Sequence, residues 1–273
     1  MKNLNTNYLG LKLNSPIVIG ACNLSKNMDN IKAAEENGAG AVVFKSLFEE
    51  QVHLEQIQLQ DELMEYNDRH AEMITLFPEI KHAGPEEHLY ELRNLKENSS
   101  LPVIGSLNAI YKETWVEYAQ LLQQTGIDAL ELNFYSVPRD ASVTEEDIVK
   151  KQIEIVKAVK AKVKIPVSVK LSPYYANPLN VIKRMDEAKP DGVILFNRFF
   201  QPDIDIEKEE HYTPFNLSNA YDDQLSLRFA GLLYNQINAD IISSSGIFTG
   251  ADVIKMIMAG ANSVQVVSTL YKN

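Results

Sequence analysis

An α/β fold closed as a single (β/α)8 barrel, the TIM-barrel architecture, is what this 273-residue sequence predicts. Three observations lead there. Apolar strand-like runs and helix-like segments alternate eight times, the pattern of a parallel sheet with helical crossovers. No change of composition marks a linker, so residues 1–273 read as one domain. The polar residues within the strands gather at their C-terminal ends, where such barrels carry their chemistry.

The elements follow in order. Tyr8–Leu13 predicts an N-terminal hairpin turning at Asn14-Ser15-Pro16, and Ile17–Gly20 the first buried strand. A helix from Met28 to Asn37 is closed by Gly38, which suits a helix C-terminus. Ala41–Lys45 is the second strand, an almost unbroken apolar run of the parallel type. The long polar segment from Ser46 to Pro85 has the length of a lid or binding loop. Glu86–Glu97 is a helix, Leu101–Ser106 the third strand and Glu113–Gln124 the next helix, where Trp115 packs. Ala129–Asn133 is the fourth strand. Its alternation sends Leu130 and Leu132 to one face, Glu131 and Asn133 to the other. Helix Thr144–Val163 opens with Thr-x-x-Asp, with Thr144 as its N-cap. Strand Ile165–Leu171, helix Pro178–Ala188 and strand Gly192–Asn197 come next. A second long loop covers 198–223, and helix Gln224–Gln236, strand Asp240–Ser243, helix Gly250–Ala259 and strand Ser263–Ser268 complete the count. The chain stops soon after the eighth strand, which suggests a shortened chain lacking its last helix.

The net charge of −11 argues against a nucleic-acid or anionic-membrane partner. No run approaches the ~18 apolar residues of a membrane span, and the N-terminus lacks the apolar core of a signal peptide. One cysteine, Cys22, excludes an internal disulfide and a Cys-rich metal cluster. A soluble, reduced, cytoplasmic protein is expected. His53, His70, His82, His88 and His211 have no metal-ligand spacing and read as surface or loop residues, so no metal is expected.

The strand ends define a candidate site. Lys45, Asn133, Lys170 and Asn197 end the second, fourth, fifth and sixth strands, and Lys170 shares the inward face with Ser168. Such a set suits a planar, electron-rich ligand with carbonyl acceptors. Ser243-Ser244-Ser245-Gly246 follows the seventh strand and feeds a helix, and Ser268-Thr269 ends the eighth. Hydroxyls and backbone N–H groups at a helix start form an anion site, commonly for phosphate in such barrels. Alone, the same loop reads equally as a Ser-rich helix cap.

Lys45-Ser46, Glu131-Leu132-Asn133, Val169-Lys170-Leu171-Ser172-Pro173-Tyr174, Ser245-Gly246-Ile247 and Gly260-Ala261 with Val264-Gln265 together resemble the dihydroorotate dehydrogenases over nearly the whole chain. The resemblance implies an FMN-binding barrel and a homodimer acting in pyrimidine biosynthesis. It implies FMN contacts from Ala21, Lys45, Ser46, Asn133, Lys170, Asn197, Ser244, Ser245, Gly246, Ser268 and Thr269. It also implies substrate contacts from Lys45, Asn133 and Asn197, and Arg198 is a further substrate-binding candidate beside them. Ser136, three residues after Asn133, falls where the family has its catalytic base, and Lys170 is the second catalytic candidate. The absence of a membrane helix makes the chain similar to the soluble class.

Departures from the family pattern concern the substrate side. The Asn-x-x-Gly-Leu-Pro-Asn-type loop is replaced by His70–Glu79, Ser-Cys-Pro-Asn by Tyr135-Ser136-Val137-Pro138, and a Gly-Gly pair by Ser245-Gly246. Val267 stands for a glycine, and Arg198-Phe199-Phe200 for a small polar segment. FMN-dependent oxidation with an altered substrate, an anion related to or bulkier than dihydroorotate, is therefore expected. Two alternatives remain open: a Schiff-base lyase or aldolase with Lys170 as nucleophile, and a flavin-binding protein without turnover.

Overall fold

A computed structural model describes residues 4–54, 85–135, 137–138, 140–199, 201–212 and 217–272. Ser136, Phe200, His70, His82, the segment 70–79 and most of the predicted long loop lie outside the described residues. Strands β1 (Thr6–Tyr8) and β2 (Leu11–Leu13) form the N-terminal hairpin. The barrel starts with β3 (Ile17–Ile19) and β4 (Ala41–Val43), and the two-residue β5 (Leu47–Phe48) lies beyond β4. Then come β6 (Val103–Asn108), β7 (Ala129–Asn133), β8 (Val167–Leu171) and β9 (Gly192–Leu195). Strands β10 (Asp203–Asp205) and β11 (Glu210–Tyr212) make a separate hairpin, and β12 (Asp240–Ser244) and β13 (Ser263–Val266) end the sheet. The parallel order β4-β3-β13-β12-β9-β8-β7-β6 returns through β6 to β4, so the barrel closes.

The helices are α1 (Met28–Glu36), α2 (Glu86–Asn98), α3 (Lys112–Gln124), α4 (Glu145–Lys160), α5 (Pro178–Asp186), α6 (Asp223–Leu233) and α7 (Gly250–Ala259). Five helical residues, α8 (Ser268–Lys272), follow β13, and Ser268 opens this helix rather than ending a strand. Thr144 caps α4 in a reciprocal box with Asp147, as its Thr-x-x-Asp spacing predicts; Thr249 and Asp252 do the same for α7. The β10–β11 hairpin was not foreseen in the long second loop, because three-residue exposed strands carry no apolar alternation.

Alternation along the strands divides the apolar side chains into two cores. Leu130 and Leu132 pack outward under the helices with Trp115, Leu122, Ile155 and Val156. Ala129, Val18, Val43, Ile104, Ile194 and Ile242 point inward and meet Tyr8, Leu9 and Leu13 of the hairpin. The hairpin thus plugs the N-terminal end of the barrel. Gly192 makes room for it, since a Cβ there would collide with Leu9 Cδ2. Leu9 N donates to Asp240 Oδ2 at 2.7 Å and Thr6 Oγ1 to Asn262 O at 2.7 Å, fastening the plug to the last two strands. Above this layer the interior turns polar.

One device recurs around the outside of the closed end. The residue preceding a strand exchanges two hydrogen bonds with the first residue of the strand before it. Asp128 N donates to Val103 O at 2.8 Å, and Val103 N donates to Asp128 Oδ2 at 2.7 Å. Asp191 does the same with Val167, both at 2.7 Å, and Asn262 makes the equivalent pair with Ile241, the second residue of β12, at 2.7 and 2.9 Å. Lysines from the helices complete two of these staples: Lys96 reaches Asp128 at 2.6 Å and Lys160 reaches Asp191 at 2.5 Å.

The staple separates hydrogen bond from ion pair. Asp191→Asn retains an acceptor for Val167 N–H and removes the charge; it should cost no more than about 1 kcal/mol, as exposed ion pairs do. Asp191→Ala also orphans the N–H and should cost about 1–3 kcal/mol. Urea unfolding midpoints of the two variants check this, and equal losses would assign the stabilisation to Lys160 alone.

His88 is half-buried on α2, not a surface residue as its sequence context suggests, and its ring packs edge-on against Phe44 at 5.1 Å. Burial, then the nearby Lys45 and Lys26, pushes its pKa down from 6.5 to about 4, and Nε2 has no hydrogen-bond partner among the described residues. The folded chain therefore binds fewer protons than the unfolded one between these values. The stabilisation is fully present above pH 6.5 and is lost as pH falls towards 4. His88→Leu should flatten the loss of stability between pH 6.5 and 4 in denaturant titrations at stepped pH. An unchanged slope would place the acid sensitivity elsewhere.

Candidate active site

The polar layer continues upward into a cavity of about 720 Å³ at the C-terminal ends of the strands. Beneath the cavity floor lies Glu131, fully buried on β7. A buried carboxylate without partners would be strongly destabilising, and its neighbouring strands supply them. Gln265 Nε2 on β13 donates to Glu131 Oε2 at 2.6 Å, Ser106 Oγ on β6 to Glu131 Oε1 at 3.4 Å, and Lys170 Nζ lies 3.8 Å from Oε1. Lys170 Nζ also donates to Gln265 Oε1 at 3.1 Å. Beneath, the Tyr8 hydroxyl meets Gln265 Nε2 at 3.5 Å; burial and then the Glu131 charge push its phenol pKa up. Lys170 is thus a buried cation held by two groups on different strands.

Around it lie the other strand ends. Asn197 Nδ2 donates to Asn133 Oδ1 at 2.6 Å, joining the ends of the fourth and sixth barrel strands. Asn108 Nδ2 donates to the carbonyls of Asn133 and Tyr135 at 2.8 and 3.0 Å and fixes the turn after β7. Lys45 N donates to Ser25 Oγ at 2.9 Å, and Ser46 Oγ lies 2.7 Å from Ser106 Oγ. Ala21, Lys45, Ser46, Asn133, Lys170, Asn197 and Arg198 all line the one cavity. Arg198 Nη1 donates to Asp222 Oδ2 at 2.6 Å.

At the ends of the last two strands and just after them, Ser244, Ser245, Gly246 and Ser268 line the cavity wall, while Thr269 does not. Ser245 and Gly246 have φ of 74° and 71°, two successive left-handed residues that turn backbone N–H groups into a concavity. A Cβ at Gly246 would collide with Asp223 N, so glycine is required there. Ser218 reaches into this wall: Gly246 N donates to its Oγ at 3.1 Å, and its own N donates to Ser268 Oγ at 2.9 Å.

Several residues of the site were not singled out as site residues from the sequence. Glu131 was placed only by its alternation and Gln265 only within a motif, since no local pattern ties residues 134 positions apart. Ser218 sits in a loop without periodicity. Phe48 and Tyr135 line the cavity beside Phe199. Cys22 lines it too; burial raises its thiol pKa, and the Tyr271 hydroxyl faces it. Among the described residues, no group of three or more His, Cys, Asp or Glu could hold a metal.

Comparison with known proteins gives the family. Residues 78–273 match the family model for dihydroorotate dehydrogenase. The chain is 30% identical to the catalytic subunit of dihydroorotate dehydrogenase B (NAD(+)) of Thermoplasma volcanium, over 100% of this chain and 88% of that protein. It is 29% identical to the corresponding subunit of Thermoplasma acidophilum, over 99% and 88%. It is likewise 29% identical to dihydroorotate dehydrogenase A (fumarate) of Lactobacillus helveticus, over 68% of this chain and 62% of the relative. With the closed barrel and its polar cavity, these matches establish that the chain belongs to the dihydroorotate dehydrogenase family.

Proposed function

We propose that this protein is an FMN-dependent oxidoreductase acting on a carbon–carbon single bond beside a carbonyl, as in the oxidation of dihydroorotate to orotate. The observation that carries the reading is the buried cation: Lys170, held by Gln265 and Glu131 on the floor of a cavity where Lys45, Asn133 and Asn197 also converge. The whole chain is read as one FMN-binding domain. The relatives' names, their full-length coverage and the family match support the assignment.

The residues present fit a flavin nucleotide. The cavity volume falls within the range of cofactor pockets, roughly 300–1,000 Å³. In this reading Ala21, Lys45, Ser46, Asn133, Lys170 and Asn197 would hold the ring. The Ser244–Gly246 concavity, Ser268 and its neighbour Thr269 would hold the phosphate, with Ser218 moving aside. Bound FMN supplies a two-electron hydride acceptor. The protein's part is placement and charge. A positive group fixed at the cavity floor stabilises negative charge as it develops and needs no reorganisation to do so. Asn133 and Asn197, already tied together, present a rigid pair of amides to a substrate, with Lys45 and Arg198 beside them.

Ser136 is the proposed base, taking a proton from the carbon next to the carbonyl. A serine hydroxyl is a weak base and needs an adjacent acceptor to pass the proton on. Among the described residues no helix is long and apolar enough to cross a membrane. A homodimer working in the cytoplasm is part of the same proposal.

Two measurements test this. The full-length protein should purify yellow, or take up one FMN per chain on titration, and colourless protein without uptake would overturn the proposal. Lys170→Met keeps the volume and removes the charge. FMN should still bind while its reduction by substrate slows on the order of 10²-fold, read by stopped-flow bleaching of the flavin. Unchanged kinetics would leave Lys170 a structural partner of Glu131 only.

A further inference from the structure

The groups assigned above to FMN lie on the floor and along the Ser244–Ser268 wall. The cavity has another side, and it is built differently. Phe48 on β5, Tyr135 after β7, Tyr174 after β8 and Phe199 after β9 form a continuous chain of rings. Phe48 and Tyr135 meet edge to face, with centroids 6.4 Å apart and planes at 88°. Tyr135 and Phe199 are 4.5 Å apart at 56°, and Phe199 and Tyr174 are 5.5 Å apart at 51°.

Four loops of the barrel's C-terminal face each supply one ring. Phe48, Tyr135 and Phe199 line the cavity, and Tyr174 carries the row to the surface, where it is 69% exposed. Rings that served only to pack the barrel would belong to its apolar cores, and none of these four does. They stand on the cavity wall and touch one another.

The positive charge of the cavity lies chiefly at Lys45 and Lys170, and the groups beside this wall are largely neutralised. Arg198 is bonded to Asp222 at 2.6 Å, and Glu50 adds a carboxylate to the lining. Aromatic faces instead attract flat apolar or aromatic groups, through area burial and through edge-to-face and offset contacts. This surface is the part of the cavity left for the second ligand.

We propose that the substrate carries, beyond its reacting carbonyl ring, a flat apolar or aromatic group that stacks on the Phe48–Tyr135–Phe199 wall. The inference rests on the FMN reading and specifies the substrate of that site. Phe199, central in the row and 9% exposed, is the specificity-determining residue.

The test uses the full-length FMN-loaded protein and three probes: uracil, orotate and 5-benzyluracil. Binding is read from perturbation of the flavin absorbance and, independently, from thermal shift. 5-Benzyluracil should bind at least about tenfold more tightly than uracil or orotate. Phe199→Ala and the volume-conserving Phe199→Leu should each weaken it roughly tenfold, in line with the ~0.5–1.5 kcal/mol of an aromatic pair, while orotate binding stays the same. Flavin-loaded protein that binds orotate as tightly as 5-benzyluracil, or whose Phe199 variants bind 5-benzyluracil unchanged, overturns the inference and leaves the FMN reading standing. Protein that takes up no FMN ends both.

Discussion

A carboxylate at 0% exposure inside a barrel must be answered from every side, and Glu131 is answered by three strands of the structure. Ser106, Gln265 and Lys170 reach it from β6, β13 and β8, and Tyr8 supports Gln265 from the hairpin. None of these groups can shift without stranding a buried charge, which costs far more than a single apolar contact. A slip of β7 by one residue would carry Glu131 into the outer apolar layer and Leu130 or Leu132 into the polar one. The network therefore fixes register, and register fixes which side chains face the cavity. The position of Lys170 is one result of this arrangement.

The two ends of the barrel do different work. At the closed end, the Asp128, Asp191 and Asn262 staples and the hairpin plug are local, repeated and saturated with hydrogen bonds. At the open end, the loops after β4, β7 and β9 and the end of β8 bring lysine, asparagine and aromatic side chains to one cavity. Stability is concentrated where nothing has to bind. The loops above are free to differ from relatives without dismantling the frame, and the departures seen at Tyr135–Pro138 and Arg198–Phe200 all fall there.

Much of this was legible in the sequence, for identifiable reasons. Period-two and continuous apolar runs located every barrel strand, because burial on one or both faces leaves a direct trace. Thr144 and Gly38 marked helix ends through local backbone chemistry. The inward direction of Lys170 followed from its alternation with Val169 and Leu171. Elements set by distant contacts were not legible. Leu47–Phe48 forms a strand only because Leu107 and Asn108 lie alongside. His88 looked like one more polar helix residue, yet it is half-buried against Phe44, which follows β4. Gln265 acquires its place only when the barrel closes.

That closure has a consequence for how the protein comes into being. The contact between Tyr8 and Gln265 spans 257 positions, and the one between Thr6 and Asn262 spans 256. Loops of that length close late, after the local strand–helix units have formed. During synthesis the first strands leave the ribosome with an open edge, and their inward polar groups meet only water until β13 arrives. The lysine on which the proposed chemistry turns gains its partner Gln265 only after β13 has docked beside the N-terminal hairpin. A chain that has not yet reached β13 is a partial barrel whose floor lacks one of the groups that hold Lys170.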